Sequence, residues 1–228
     1  DALPISDELI FNFQDTISGL GNVGVAGDET SSAVNGANVL ALVGGDDVIT
    51  IKDSVNHIAK GDFQIMGANS VGGNDIIRAA DENSTLYGDA VTIDANRSNG
   101  VLDVFGGTAT GGDDTILAGT GNDFIYGDSQ LLIDGATGGN DTIEGNDGND
   151  FIFGDAEIAN NSTAGNDILN GGAGNDYLVG DADFMTNSVG GVDSFVYDMT
   201  VNNGNDIIAD FEAGKDKILL QGVSLISV

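Results

Sequence analysis

Aspartate recurs in this chain beside glycine at intervals that composition alone does not produce, and this regularity restricts the possible folds more than any other feature. Aligning Gly-Gly-Asn/Asp-Asp and its close variants, each followed by an aliphatic residue, gives Asp47, Asp75, Asp114, Asp141, Asp167 and Asp193. Their spacings are 28, 39, 27, 26 and 26 residues. In three units a second element ending in Gly-Asn-Asp follows nine residues later, at Asp123, Asp150 and Asp176. A third, Gly-Asp, falls 14 residues after the start, at Asp89, Asp128, Asp155 and Asp181. A weaker copy stands one residue out of register at Gly61 and Asp62. Fixed offsets with variable connectors are the mark of a structural repeat.

Two residues after the repeat aspartates comes a large aliphatic: Ile49, Ile77, Ile116, Ile125, Ile143, Ile152, Leu169 and Leu178. A glycine turn followed by a short strand with its middle side chain inward describes one edge of a β-solenoid. Apolar residues recur at period 2, and no stretch has the 3.6 period of a helix. The fold class expected is all-β, a parallel β-solenoid whose coils each hold three short strands and three turns. After each Gly-Asp lies an apolar patch (Val91 with Ile93, Leu131 with Ile133, Ile158, Phe184), then a polar loop that is longest at residues 94 to 110. Residues 1–43 read as an N-terminal cap, 44–206 as the solenoid and 207–228 as capping strands. The alternating ends around Leu9 to Phe13 and Ile218 to Leu220 would hide the open edges.

Charge sets the chemistry. The chain has 37 acids against 6 bases in 228 residues, a formal −31, and residues 98 to 214 contain no Lys, Arg or His. Such a chain lacks the basic patch that nucleic acid or an anionic membrane requires. Salt bridges cannot neutralise the acids of the long base-free stretch, so metal cations are the first candidate. With no cysteine, disulfides, thiolate zinc and thiol catalysis are absent. No apolar run reaches the ~18 residues of a spanning helix. An opening at Asp1 without Met reads as a processed product or a fragment.

Gly171, Gly172, Ala173, Gly174, Asn175, Asp176, Tyr177 and Leu178 match the nonapeptide Gly-Gly-x-Gly-x-Asp-x-aliphatic-x in full. Imperfect copies run from Ala118 to Asp123 and from Gly145 to Asp150. From about residue 44 to 217 the chain resembles the RTX (repeats-in-toxin) calcium-binding repeat family. The closing stretch Asn205 to Phe211, with Gly214, Asp216, Lys217 and Ile218, is similar to the end of RTX regions in type I secreted proteins. The resemblance implies multiple Ca2+ ions, held by the turn aspartates and glycine carbonyls and shared between a turn and its equivalent one coil on. Carried over, the ligands are Asp47, Asp75, Asp114, Asp141, Asp167 and Asp193, then Asp123, Asp150 and Asp176, and also Asp206. The glycines are Gly112, Gly119, Gly121, Gly139, Gly145, Gly148, Gly172 and Gly174. Asp89, Asp128, Asp155 and Asp181 fall outside the family nonapeptide; they are either a third calcium row or acceptors for turn amides.

Physics favours the same ion. Calcium takes ~6–8 hard oxygens at ~2.3–2.6 Å. Equivalent carboxylates in coils ~4.8 Å apart repel by roughly 1 kcal/mol in water and about 3 at an effective dielectric of 20. The apo chain is therefore expected to be expanded and calcium to fold it.

Other signals are weaker. No EF-hand triplet has its glutamate at the required offset. Gly127-Asp128-Ser129 has a faint likeness to a nucleophile motif, but Asp128 belongs to a column and His57, the only histidine, lies two units away and reads as a loop or surface residue. Phe124, Phe151 and Tyr177, with Tyr126, Phe153 and Val179, form outward ladders. They read either as a stacking platform for sugar or a partner, or as a layer covered by the apolar patches that follow, the latter preferred. A calcium-binding, non-catalytic, secreted protein of a Gram-negative bacterium is expected. Two roles compete: a self-assembling matrix, fibre or surface-layer component, its end strands pairing with other copies, and the calcium-binding tail of a larger secreted enzyme or adhesin.

Overall fold

A computed structural model describes residues 8–11, 46, 48–51, 57–61, 65–66, 71–79, 83–94, 97–98, 101–102 and 109–223. The chain is all-β and winds as a parallel solenoid with three sides. Among the described residues the first sheet has eight parallel strands, running from Glu8–Phe11 and Val48–Ile51 through Thr115–Leu117 and Thr142–Asp147 to Ser194–Asp198 and Lys217–Gln221. The second has six, from His57–Lys60 through Phe124–Tyr126 and Phe151–Phe153 to Ile207–Ile208. The third has five, from Ile65–Met66 through Ser129–Ile133 and Ala156–Asn160 to Ala182–Thr186. Each complete coil contributes one strand to each side, as the repeat spacing requires.

Register follows the repeat. Ile116 pairs with Ile77 on one side and Ile143 on the other, and Ile125 with Leu86 and Ile152. These aliphatics, with Leu169, Leu178 and Phe195, form one fully buried column along the axis. At roughly 1.5–3 kcal/mol for each buried aliphatic, this column is the main apolar support of the coil stack. Against the third sheet the core is narrower: Leu132 stands among Ala109, Ala136, Ala156, Ala159 and Ala182. The third corner turns through left-handed residues, Asp134 (φ 57°), Asn161 (φ 51°) and Asn187 (φ 53°), which are the residue types that tolerate this region.

The structure revises three expectations. The patches after Gly-Asp do not fold over the second sheet as a layer. They build a side of their own, with Leu132 and Ala159 inward and Ile158 and Phe184 exposed, because two-residue alternation leaves every second side chain outside. Only one aromatic ladder is covered: Tyr87, Tyr126, Phe153 and Val179 are buried, whereas Phe124 and Phe151 are exposed. The Phe124 and Phe151 rings stack on each other at 4.9 Å and 4°. Their faces are turned along the axis, so the ladder offers ring edges to solvent and gives a sugar little face to stack on. His57 begins a strand rather than a loop. The longest excursion holds a small antiparallel pair, Arg97–Ser98 with Val101–Leu102.

Candidate metal centre

The aspartate columns lie inside the stack. Asp75, Asp114, Asp141, Asp167 and Asp193 at the first corner, Asp123, Asp150 and Asp176 at the second, and Asp89, Asp128, Asp155 and Asp181 before the third strand are all buried. Asp206 extends the second-corner column and is part-buried. Asp47 lies outside the described residues.

Each first- and second-corner aspartate reaches back one coil. The Asp114 N–H donates to Asp141 Oδ1 at 2.7 Å, Asp141 to Asp167 at 2.7 Å and Asp167 to Asp193 at 2.9 Å. At the second corner Asp123 donates to Asp150, Asp150 to Asp176 and Asp176 to Asp206, each at 2.9 Å. Ser84 takes the corresponding place in the preceding coil, its N–H donating to Asp123, which explains why that unit shows no second element in the sequence.

Residues before the aspartates reach the other way. Asn140 N–H donates to Asp113 Oδ1, Asn166 to Asn140, Asn149 to Asn122 and Asn175 to Asn149, at 2.7–3.0 Å. The first and second corners are thus stitched in both directions, asparagine (or Asp113) forward and aspartate backward. No role attached to these asparagines from sequence, although an Asn or Asp before almost every repeat aspartate was the available signal.

The Gly-Asp column does accept turn amides: Gly139 N–H donates to Asp128 at 3.0 Å and Gly165 N–H to Asp155 Oδ1 at 2.7 Å, and Gly191 N–H to Asp181. It also faces the first-corner column across the interior. Asp75, Asp89 and Asp114 each bring an oxygen within 4.8 Å of the other two.

Asp128 takes the Gly139 N–H on both of its oxygens, but others in the columns use only one. Oδ2 of Asp123, Asp141, Asp150, Asp155, Asp167 and Asp176 is buried and takes no hydrogen bond. A buried acceptor left so costs about 1–3 kcal/mol, more when charged. Burial holds the carboxyls of Asp123 and Asp176 up at about 6 and those of Asp150 and Asp193 at about 7. Asp141, Asp155 and Asp167 are pushed well up, first by burial and then by neighbouring carboxylates. Hard anionic oxygens, dry, paired between coils and lacking a donor are what a divalent oxygen-seeking cation would complete.

The site glycines serve two different purposes. Gly119, Gly121, Gly148, Gly172 and Gly174 have positive φ, and Asn146 (φ 73°) replaces glycine in the second-corner turn of its coil. Gly112 and Gly139 are needed for closeness alone: a Cβ on Gly139 would lie 1.6 Å from the Gly112 carbonyl oxygen, and one on Gly112 1.5 Å from that of Gly73, while Gly148, Gly172 and Gly174 combine positive φ with a carbonyl oxygen 1.4–2.0 Å from the Cβ position. On Gly145 it would lie 2.4 Å from Asp150 Oδ2.

Two further aspartates belong to the columns. Asp216 accepts from Asp193 N–H at 3.1 Å, and Asp210 from Gly180 and Asp181 N–H at 2.8 Å each. Only their place in the closing stretch hinted at this. Ser129 is buried and donates its Oγ–H to the Leu131 carbonyl, so the faint nucleophile motif has an ordinary structural explanation.

The model of the RTX calcium-binding nonapeptide repeat matches in four copies, at residues 70–90, 108–130, 136–157 and 161–184. No curated protein and no solved structure matches the chain.

Proposed function

The chain carries RTX calcium-binding repeats in a β-solenoid that suits several calcium ions, and from this we propose that it is a secreted structural module that calcium folds and that then assembles with its own kind. The observation that carries the reading is the set of buried Oδ2 atoms without a donor, one in every complete second-corner turn. Bound calcium supplies the positive charge missing from residues 98 to 214. The ligands proposed are the first-corner aspartates from Asp47 to Asp193, the second-corner column Asp123, Asp150, Asp176 and Asp206, and carbonyls of the corner glycines. Residues 44–206 form the calcium-binding body and the flanking segments its caps. Such a chain crosses a secretion channel unfolded in low calcium and folds outside, in keeping with type I export from a Gram-negative cell.

Assembly is supported by the ends of the first sheet. Among the described residues no strand pairs with the outer edge of Glu8–Phe11 or of Lys217–Gln221. Ile218, Leu219 and Leu220 are all exposed. Carrying the register of that sheet into a second copy sets acidic Glu8 opposite basic Lys217 and Leu9 opposite Ile218. A head-to-tail contact of this kind does not close on itself and gives filaments.

Circular dichroism and small-angle scattering in a calcium titration test the folding reading. Compaction on adding calcium is expected, and the same compact β structure in excess chelator would overturn it. Electron microscopy with and without calcium tests assembly: filaments with calcium that Lys217→Glu shortens are expected, and monodisperse monomers at high concentration count against it.

A further inference from the structure

We propose a separate row of interior cation sites, each formed by one Gly-Asp aspartate and two first-corner aspartates from successive coils. The inference rests on the calcium reading above but uses a column that the nonapeptide does not contain. The described triad is Asp75, Asp89 and Asp114, whose oxygens lie within 4.8 Å of one another. That span is about twice a calcium–oxygen distance of ~2.3–2.6 Å, so a single ion can touch all three.

One and two coils on, the repeat supplies Asp114, Asp128 and Asp141, then Asp141, Asp155 and Asp167. In the latter set every member is at most 1% exposed, and Oδ2 of all three takes no hydrogen bond. At Asp155 the amide role does not use up both oxygens, since Oδ1 holds the Gly165 N–H and leaves Oδ2; Asp128 shares the Gly139 N–H between its two oxygens at 3.0 and 3.1 Å.

Glycine keeps the space open. A Cβ on Gly154 would lie 2.3 Å from Asp167 Oδ2 and 1.9 Å from the Gly180 carbonyl oxygen; on Gly127 it would lie 2.1 Å from Asp141 Oδ2 and 1.7 Å from the Gly154 carbonyl oxygen. Carboxylates and carbonyls therefore converge on the volume that a side chain would fill. At the end of the row the structure itself puts a cation beside this column. A Cβ on Gly190 would lie 2.0 Å from Asp181 Oδ2 and 2.9 Å from Lys215 Nζ. An ammonium group closes there what metal ions fill further in.

Counting bound calcium by equilibrium dialysis and native mass spectrometry tests the row. Asp155→Asn keeps an oxygen for the Gly165 N–H but removes the charge, and is expected to lose one ion from the saturated count. Asp176→Asn, in the nonapeptide turn, should lose its ion independently, and the double variant both. An unchanged count in Asp155→Asn together with a reduced one in Asp176→Asn overturns the interior row and leaves the calcium reading standing. No calcium bound by the unaltered chain removes that reading and the row with it. If circular dichroism shows that Asp155→Asn does not fold in calcium, europium luminescence lifetimes of the unaltered protein decide. A fully dehydrated ion population supports the row, and its absence overturns it.

Discussion

Replacing Gly139 by alanine isolates what holds one coil against the next. The new Cβ would stand 1.6 Å from the Gly112 carbonyl oxygen, whereas real Cβ contacts do not fall below 3.0 Å, a deficit of at least 1.4 Å. The obstacle is backbone, in a turn hydrogen-bonded to the next coil, so a rotamer change cannot relieve it. Opening a coil spacing of ~4.8 Å by that amount breaks the bonds between these two turns. Those are Gly111 N–H to Thr137 O, Thr142 N–H to Asp114 O, Asn140 N–H to Asp113 Oδ1 and Asp114 N–H to Asp141 Oδ1, at 2.7–2.9 Å. At a net ~0.5–1.5 kcal/mol each, the four amount to about 2–6 kcal/mol, a large part of an ordinary domain's ~5–15 kcal/mol. Gly214→Ala is the control: nothing lies within 4 Å of its Cβ position, and only the φ of 91° is unfavourable, a cost of roughly 1–2 kcal/mol. Denaturant unfolding in saturating calcium, followed by circular dichroism, should show Gly139→Ala clearly the more destabilised. Equal midpoints would refute the claim that this glycine is there for backbone contact.

Two further outcomes follow from burial. Carboxyls held at about 6 in Asp123 and Asp176 and about 7 in Asp150 and Asp193, against ~3.9 when unfolded, favour the folded chain when protonated; that support is full below about pH 4 and is lost as pH rises through about 6 to 7. In chelator the chain should be compact near pH 4 and expanded above pH 7, with calcium binding weakening as pH falls below about 6; scattering that shows no pH dependence in chelator would contradict this. Ile152→Ala empties a fully buried position between Ile125 and Leu178 and should cost about 2–5 kcal/mol, whereas Phe151→Ala removes a part-exposed ring stacked on Phe124 and should cost nearer ~0.5–1.5. Calcium-saturated unfolding curves distinguish the pair, and similar costs would mean that the inward and outward faces are misassigned.

The coil, its three sides and the buried aliphatics were legible in sequence because spacing encodes them directly. Offsets of 9 and 14 residues count strands and turns, and Ile116 or Ile125 can face only one way once the aspartate two residues earlier is placed. What spacing does not encode is the direction of contact between coils. Gly139 and Gly214 are both glycine, yet one is there for a neighbour's carbonyl and the other has open space around it and only a φ of 91°. The asparagine ladder was hidden for the same reason: Asn149 holds an amide 26 residues away, and nothing local announces it. The ladder of Tyr126 and Phe153 is buried while that of Phe124 and Phe151 is not, although all four flank inward isoleucines symmetrically. The difference arises where the chain turns the corner into the third sheet, which a pattern along one strand does not contain.

The closing stretch is where stacking and charge meet most simply. Asp206, Asp210 and Asp216 continue the three columns within eleven residues of sequence, without a full coil between them. In an array whose units touch only their neighbours, such a half-coil bears chiefly on the coil before it. Asp210 carries most of the bonding, since it accepts both Gly180 and Asp181 N–H at 2.8 Å. Asp210→Ala leaves those two amides without their charged acceptor, at roughly 1.5–3 kcal/mol for each bond. The loss should stay local if neighbour contacts dominate. Hydrogen exchange in saturating calcium is then expected to quicken at Gly180 and Asp181 and in Tyr177–Val179, while Ile116 and Ile125, two coils away, keep their protection. Uniform acceleration along the solenoid would show instead that the columns act as one cooperative unit, with the terminal aspartates holding every coil at once.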